Sequence, residues 1–301
     1  MSLAVIILTF NEEQHIERAL DSVKDFAGSV LVVDCGSSDN TVNLAKACGA
    51  EVKSNPWINY ATQFNWALTH VPSGTTWVLR LDADEVVTSE LACEIKARLS
   101  SLGSQSVGIF VSRRMKFLGR PIRYGGLFPI RVLRLFRLGY GHCENRWMDE
   151  HIIVTGKTVA FNGEIIDDNL NSLTWWTQKH NSYASREVID LLNLEYGFTS
   201  QETVAELKSG QQAAVKRWLK ERVYVYLPRG FRACVYFLYR YVLRCGFLDG
   251  REGAIFHLLQ GFWYRFLVDA KLYEVKEYMR RTGTGPVVAI KAILHIDVDE
   301  D

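Results

Sequence analysis

Apolar positions follow two rhythms along the first hundred residues. Leu3 to Thr9, Val30 to Val33 and Trp77 to Leu81 are short, nearly unbroken apolar runs bounded by polar turns. Runs of that length predict strands buried on both faces. Between them, Ile16, Ala19, Leu20 and Val23 repeat at helical spacing, as do Leu44, Ala45 and Cys48. A short strand near Val52 and a helix from about Asn59 to Thr69 continue the series. Strand then helix, repeated, predicts an α/β fold with a parallel sheet covered by helices on both faces. From Ser106 the rhythm changes. Val107 to Val111 reads as a strand, a segment containing "RYGG" follows, and Ile152 to Ile166 alternates around Gly156 as a hairpin does. After Asn171 the pattern is helical, with breaks at "YLPRGF" and "RCGFLDGREG". The predicted division is 1–170 and 171–301.

Bulk composition adds little to this. The 301 residues are 48% hydrophobic, and 35 Lys plus Arg balance 34 Asp plus Glu. Distribution says more: Val107 to Cys143 contains no acid, yet holds Arg113, Arg114, Lys116, Arg120, Arg123, Arg131, Arg134 and Arg137. Six scattered cysteines form no CxxC and no zinc spacing, which predicts reduced thiols in a cytosolic protein. "MSLAVIILTFNEE" lacks a basic leader and reads as a strand rather than a signal peptide. Arg232, Arg240, Arg244, His257 and Arg265 interrupt the most apolar stretches, so no membrane span is expected.

Open parallel sheets bind ligands beyond the carboxyl ends of their strands. Three such ends carry acids: Asn11, Glu12 and Glu13; Asp34 and Asp39; and Asp82, Asp84 and Glu85 in "WVLRLDADEVV". An edge made of carboxylates suits a hard cation with oxygen ligands, Mn²⁺ or Mg²⁺. If that last segment stays extended, Asp82 and Asp84 point the same way. In "LVVDCGSSDNT", Ser38 or Asp39 is the expected helix N-cap. Asp34 follows buried apolar residues and needs a donor, which a nucleobase N–H or a ribose hydroxyl would supply. "RWMDEHIIV" offers Asp149, Glu150 and His151, either as turn and core polar groups or as a general base.

"VIILTFNEEQHIERALDSV", "VLVVDCGSSDNTVNLA" and "WVLRLDADE" together resemble the signature loops of family 2, the inverting glycosyltransferases that use nucleotide sugars. The resemblance covers about the first half of the chain. It implies the GT-A fold, a Rossmann-like mixed sheet with helices on both faces, followed here by a mainly helical region. By position, it implies that Asp34 and Asp39 hold the uridine of a UDP-sugar, with Glu12 and the Thr9 to Asn11 backbone lining the same pocket. It further implies Asp82 near the ribose or the metal, Asp84 as metal ligand, and a nucleotide-side place for Asn65 in "QFNWAL". The family base comes from an acidic pair after the acceptor loop, here Glu150 or else Asp149. "RVLRLFR" and "QKHNSYASRE" resemble the branch that builds bacterial lipopolysaccharide core and capsule. Processive synthases carry Gln-x-x-Arg-Trp; here Arg217 and Trp218 are present but position 214 is Ala.

The segment from "RACVYFLYRYVLRCG" to "FWYRFLVDAK" interleaves aromatics with Arg. It reads either as a buried helical pair with snorkelling arginines or as amphipathic helices on an anionic membrane, aromatic side down and Arg toward phosphates. The second reading predicts a cytoplasmic protein, peripheral on the inner membrane face, acting on a membrane-linked glycan. Nucleotidyl transfer to sugar phosphates and a catalytically inactive nucleotide-binding scaffold are the competing functions. Nucleic-acid binding is not expected, because the aromatic tail is as apolar as it is basic. No G-x-G-x-x-G follows the first strand, which disfavours a dinucleotide oxidoreductase.

Overall fold

In the computed structural model, the described residues are 2–144, 150–198 and 230–298. They divide into two units, residues 2–144 with 150–170 and residues 171–198 with 230–298.

The first unit begins with β1 (Leu3–Thr9), α1 (Ile16–Val23), β2 (Ser29–Asp34), α2 (Thr41–Ala47), β3 (Glu51–Ser54), α3 (Tyr60–Leu68) and β4 (Trp77–Asp82). It continues with β5 (Glu85–Val87), α4 (Ser89–Arg98), β6 (Ser106–Phe117), β7 (Arg120–Pro121), β8 (Ile130–Arg137), β9 (Gly141–Cys143), β10 (Ile152–Val154) and β11 (Lys157–Asp168). The main sheet runs β3-β2-β1-β4-β8-β6-β11-β5, with β7 on β6. Its first four strands are parallel, as the strand–helix rhythm predicts. The rest makes it mixed: β8 is antiparallel to β4 and β6, β11 is parallel to β6, and β5 is antiparallel to β11.

Unbroken apolar strands follow from covering both faces. Leu3, Val5 and Ile7 of β1 pack with α1, α2 and α4, while the intervening Ile6 packs with Ala61, Phe64 and Ala67 of α3. β4 alternates in the same way, with Trp77, Leu79 and Leu81 to one core and Val78 to the other. That parity sends Arg80 and Asp82 to the α3 side. The expected hairpin around Gly156 does not form. β10 pairs with β9, and β11 crosses to β6 instead. Alternation specifies a half-covered strand but not its partner. Gly156 has φ 143°, and a Cβ there would lie 2.7 Å from Val107.

The second unit is helical. α5 (Leu173–Tyr196), capped by Ser172 and ended by left-handed Gly197, shares a core with segments Tyr264–Thr282 and Pro286–Leu294. Phe231–Leu238 continues into a π turn, Tyr239–Leu243, and a second π turn spans His257–Trp263. The break predicted at "RCGFLDGREG" is a left-handed Cys245 followed by a 3₁₀ turn, Gly246–Asp249. "YLPRGF" lies mostly outside the described residues. No described helix is long and apolar enough to cross a membrane.

Candidate active site at the carboxyl edge of the sheet

Parallel register sets Thr9 beside Asp34 and Leu8 beside Asp82, so β1, β2 and β4 end at one edge. β11 runs the same way and delivers Asp167 and Asp168 there, a contribution that sequence reasoning missed. Its signal was present: like β4, the strand "KTVAFNGEIIDD" ends in acids.

The first two loops are stitched together. Asn11, in the left-handed region at φ 55°, donates its N–H to Ser37 Oγ at 2.8 Å, and its side-chain oxygen accepts from Ser38 N at 2.8 Å. Glu12 N donates to Thr41 Oγ1 at 2.7 Å, and Glu13 N to Asp39 Oδ2 at 3.1 Å. Buried His15 accepts from Leu170 N at its Nε2, 2.9 Å away. Its Nδ1 must therefore carry the proton, which it donates to the Glu12 carboxylate at 2.6 Å. These partners form a scaffold around residues predicted to line a nucleotide pocket.

Asp34 corrects an expectation. It does need donors, but the loop supplies them: Gly36 N at 2.9 Å, Ser37 N at 2.8 Å, Thr9 Oγ1 at 3.0 Å and the Ser37 hydroxyl. An aspartate that bonds main-chain N–H groups two and three residues on closes its own turn. α2 also starts later than predicted. Asn40 is the cap and makes no side-chain cap bond; Asp39, one residue earlier, takes the Thr41 N–H at 3.0 Å. Burial alone would raise the Asp39 pKa, but bonds from the Thr41 hydroxyl and N–H and from Glu13 N outweigh it and hold the carboxyl below its ordinary value.

At the end of β4 the chain does not stay extended. Ala83 and Asp84 form the turn between β4 and β5, so Asp82 and Asp84 do not share a strand face. Asp82 Oδ1 accepts from Tyr60 Oη at 2.7 Å and Oδ2 from Arg134 at 2.9 Å, with Arg80 Nε 3.6 Å away. Burial opposes the Asp82 charge, yet Arg134 and Arg80 more than offset it and keep the carboxyl well below the usual range. Arg134 also pairs with Glu85, whose carboxylate accepts from Asp82 N at 3.0 Å. Burial pushes the Glu85 carboxyl up, against the pull of Arg134. The acid-free basic run therefore meets acids inside its own sheet. Lys116 reaches Asp168 at 3.1 Å, Arg113 lies 3.8 Å from Asp167, and Arg114 pairs with Glu164.

Asp84 is placed differently. Its Oδ2 accepts from Asn169 at 2.9 Å, and Oδ1 has no hydrogen bond among the described residues. Burial, then the Asp84 charge, pushes neighbouring Asp167 up to about 6 against the pull of Arg113, while Arg18 reaches the Asp84 carbonyl at 3.4 Å. One carboxylate with a free oxygen suits Mg²⁺ or Mn²⁺, ions that take few protein ligands and complete their shell with phosphate oxygens. Among the described residues no three His, Cys, Asp or Glu side chains form a metal cage. A single carboxylate oxygen would leave the rest of such an ion's shell to other ligands.

Arg80 links the edge to the base candidates. Its guanidinium stacks 4.2 Å from the Tyr60 ring centroid, donates to Tyr60 Oη at 3.0 Å, and reaches the Glu150 carbonyl at 3.4 Å. Next to Glu150, buried Glu144 accepts from His151 N at 3.0 Å and pairs with its Nδ1 at 2.9 Å. Asp149 lies outside the described residues. Asn65, expected on the nucleotide side, is bonded to the β9 backbone. Its amide oxygen accepts from Cys143 N and its nitrogen donates to Cys143 O, both at 2.8 Å, which ties α3 to β9.

Residues 4–170, more than half of the chain, match the family described as Glycosyl transferase family 2. An uncharacterized glycosyltransferase of Rickettsia typhi is 29% identical over 282 residues, covering 91% of this chain and 87% of the relative. One from Rickettsia prowazekii is 28% identical with the same coverage. Among solved structures, glucosyl-3-phosphoglycerate synthase from Mycobacterium tuberculosis, in complex with Mn²⁺, uridine diphosphate and glucosyl-3-phosphoglycerate, is similar at 20% identity. That likeness covers 38% of this chain and 44% of that one with a TM-score of 0.31. The family match spans the strands from β1 to β11 that build this carboxylate edge, and the chain belongs to glycosyl transferase family 2.

Proposed function

We propose that the protein moves one sugar from a nucleotide diphosphate sugar, a UDP-sugar, to a hydroxyl of a lipid-linked or lipopolysaccharide-type glycan, with inversion. The work takes place at the cytoplasmic face of a membrane whose anionic surface the helical region binds. Glu150, or Asp149 beside it, takes the proton of the acceptor hydroxyl. That oxygen bonds to the anomeric carbon from the face opposite the diphosphate, and the bond to the diphosphate oxygen breaks. Asp84 is the residue that would hold Mn²⁺ or Mg²⁺, and the ion, when bound, neutralises the departing diphosphate as a Lewis acid. The loops of Thr9 to Glu12 and Asp34 to Asp39 frame the nucleotide.

One observation carries this reading: in a chain of family 2, Arg80 joins the Glu150 segment to Asp82, two residues from a carboxylate with a free oxygen. Melting the protein with UDP and Mn²⁺ tests it. The midpoint is expected to rise with the logarithm of UDP concentration in wild type. Asp84→Ala is expected to melt normally without ligand and to lose that rise, along with more than about 100-fold of UDP release from a UDP-sugar and a bacterial glycolipid extract. Full activity in Asp84→Ala would remove the metal assignment. Pyrophosphate formed from a sugar phosphate and a nucleoside triphosphate would replace transfer with nucleotidylation, and UDP binding without turnover would leave a scaffold.

A further inference from the structure

Between Gly230 and Phe266 the helices are inverted. Arg232 and Arg240 are buried, whereas Phe231, Val235, Leu238, Tyr239, Val242 and Leu243 on the same continuous helical segment are exposed. A helix facing water shows the opposite order. Arg232 is held inside by Asp269, with Nε 2.8 and 2.9 Å from the two carboxylate oxygens. Arg240 donates to Gln260 Oε1 at 2.8 Å, yet its Nε and Nη2 are buried without a hydrogen-bond partner. Of the tail arginines, expected to point outward to phosphates, Arg232 and Arg240 are internal and Arg265 is half-buried, while Arg244 and Arg251 are exposed. The outward face is hydrocarbon.

The inversion is sharpest at the turn between the two helical arms. Val242 and Leu243 end one arm, left-handed Cys245 reverses the chain, and Phe247 and Leu248 follow. All four apolar side chains are exposed, Leu243 to 74%. Asp249, immediately after them, is buried. From 230 to 266 the exposed charged residues are Arg244 and Arg251, and the two acids, Asp249 and Glu252, are buried and half-buried. The tip therefore presents an apolar end flanked by cations, with no exposed acid.

We propose that the tip from Val242 to Leu248 inserts into the outer acyl region of an anionic bilayer, with Arg244 and Arg251 on lipid phosphates. Buried arginines and exposed hydrocarbon suit a surrounding medium less polar than water. The charges choose among occupants. A second copy seated on this face by two-fold symmetry would gather two Arg244 and two Arg251 with no exposed acid from either segment to meet them, whereas lipid phosphates neutralise them. The inference rests on the membrane-surface part of the proposed function and is independent of the donor chemistry.

Co-sedimentation of the full chain with phosphatidylcholine vesicles, with and without phosphatidylglycerol, tests it. Wild type is expected to pellet with the anionic vesicles. Leu243→Asp with Phe247→Asp is expected to weaken pelleting at least about tenfold, because two inserted side chains would become charged. Arg244→Glu with Arg251→Glu is expected to abolish the preference for phosphatidylglycerol, at roughly fivefold per arginine removed. In the same samples, the melting rise with UDP and Mn²⁺ reads the other site and is expected to be unchanged by both pairs. Wild type that shows this rise but ignores vesicles would overturn insertion and leave the donor reading standing. Vesicle binding that depends on Leu243 and Phe247, without any UDP response, would do the reverse. Undiminished pelleting of the Leu243→Asp, Phe247→Asp protein would overturn insertion. So would a dimer that this variant splits while neither form binds vesicles.

Discussion

Two groups of acids meet at one sheet edge and are satisfied by different means. Asp34 and Asp39, in the second βα loop, are bonded by main-chain N–H groups and hydroxyls from their own and the neighbouring loop. Asp82 and Glu85, around the β4–β5 turn, are held by arginines from strands β4 and β8. Asp84, between them, keeps an oxygen free, and Asp167 titrates high beside it. An acid saturated by N–H groups holds a loop in shape, while an acid with an oxygen left unbonded is one a cation can reach. Residue type and position do not separate these roles; donors do.

The largest effect expected from breaking this contrast is at Arg134. Arg134→Met removes the partner of both Asp82 and Glu85 while keeping the buried volume, and leaves Glu85 without its cation. Losing one side of a buried ion pair costs about 3 to 5 kcal/mol, to be read from urea unfolding at pH 7. Adding Glu85→Gln is expected to recover part of that loss. A single variant as stable as wild type would show that the arginine is not what holds these carboxylates.

A smaller effect is expected at Asp34. Asp34→Ala removes the acceptor of the Gly36 and Ser37 N–H groups, at a cost of about 1 to 3 kcal/mol, the usual worth of hydrogen bonds to a charged group, toward the low end because Gly36 is exposed and Ser37 half-buried. Asp34→Asn keeps an acceptor for those N–H groups and is expected to fall in between. Measuring UDP-induced melting alongside separates scaffold from ligand contact. If Asp34 chiefly touched nucleotide, stability would hold and the UDP response would vanish.

Much of this edge was legible in the sequence. Ile16, Ala19, Leu20 and Val23 are the buried residues of α1, and the first three acid-bearing loops do end parallel strands side by side. Local pattern reached that far because each βα unit is encoded within some thirty residues. It failed where partners are remote. Alternation around Gly156 fits a hairpin and a crossover equally well, so the sequence shows the acids at the end of β11 but not the pairing that brings them to Asp84. The basic run from Arg113 to Arg137 shows its cations without their partners, because the acids that pair them lie on other strands. The donors of Asp34 were hidden for another reason. Two are backbone N–H groups, which every residue but proline carries and no side chain announces.

Asp39 offers the mildest test of the contrast, through pH. Its carboxyl is held below the ordinary value by donors from Thr41 and Glu13, so its folded pKa lies beneath its unfolded one. A group shifted in that sense stabilises the fold above its unfolded pKa, and that contribution is lost as pH falls through the folded pKa. Urea midpoints of wild type and Asp39→Asn are therefore expected to differ at pH 6 and to converge as acid is added. The loop acids and the arginine-held acids then part company. As pH falls, the Arg134→Met deficit begins to close sooner, at a higher pH than the Asp39 gap, because burial raises the Glu85 carboxyl and protonation relieves it once its cation is gone. A constant gap between wild type and Asp39→Asn down to the acid transition would mean that the Asp39 bonds do not depend on its charge, and the distinction between the two groups would rest on the arginines alone.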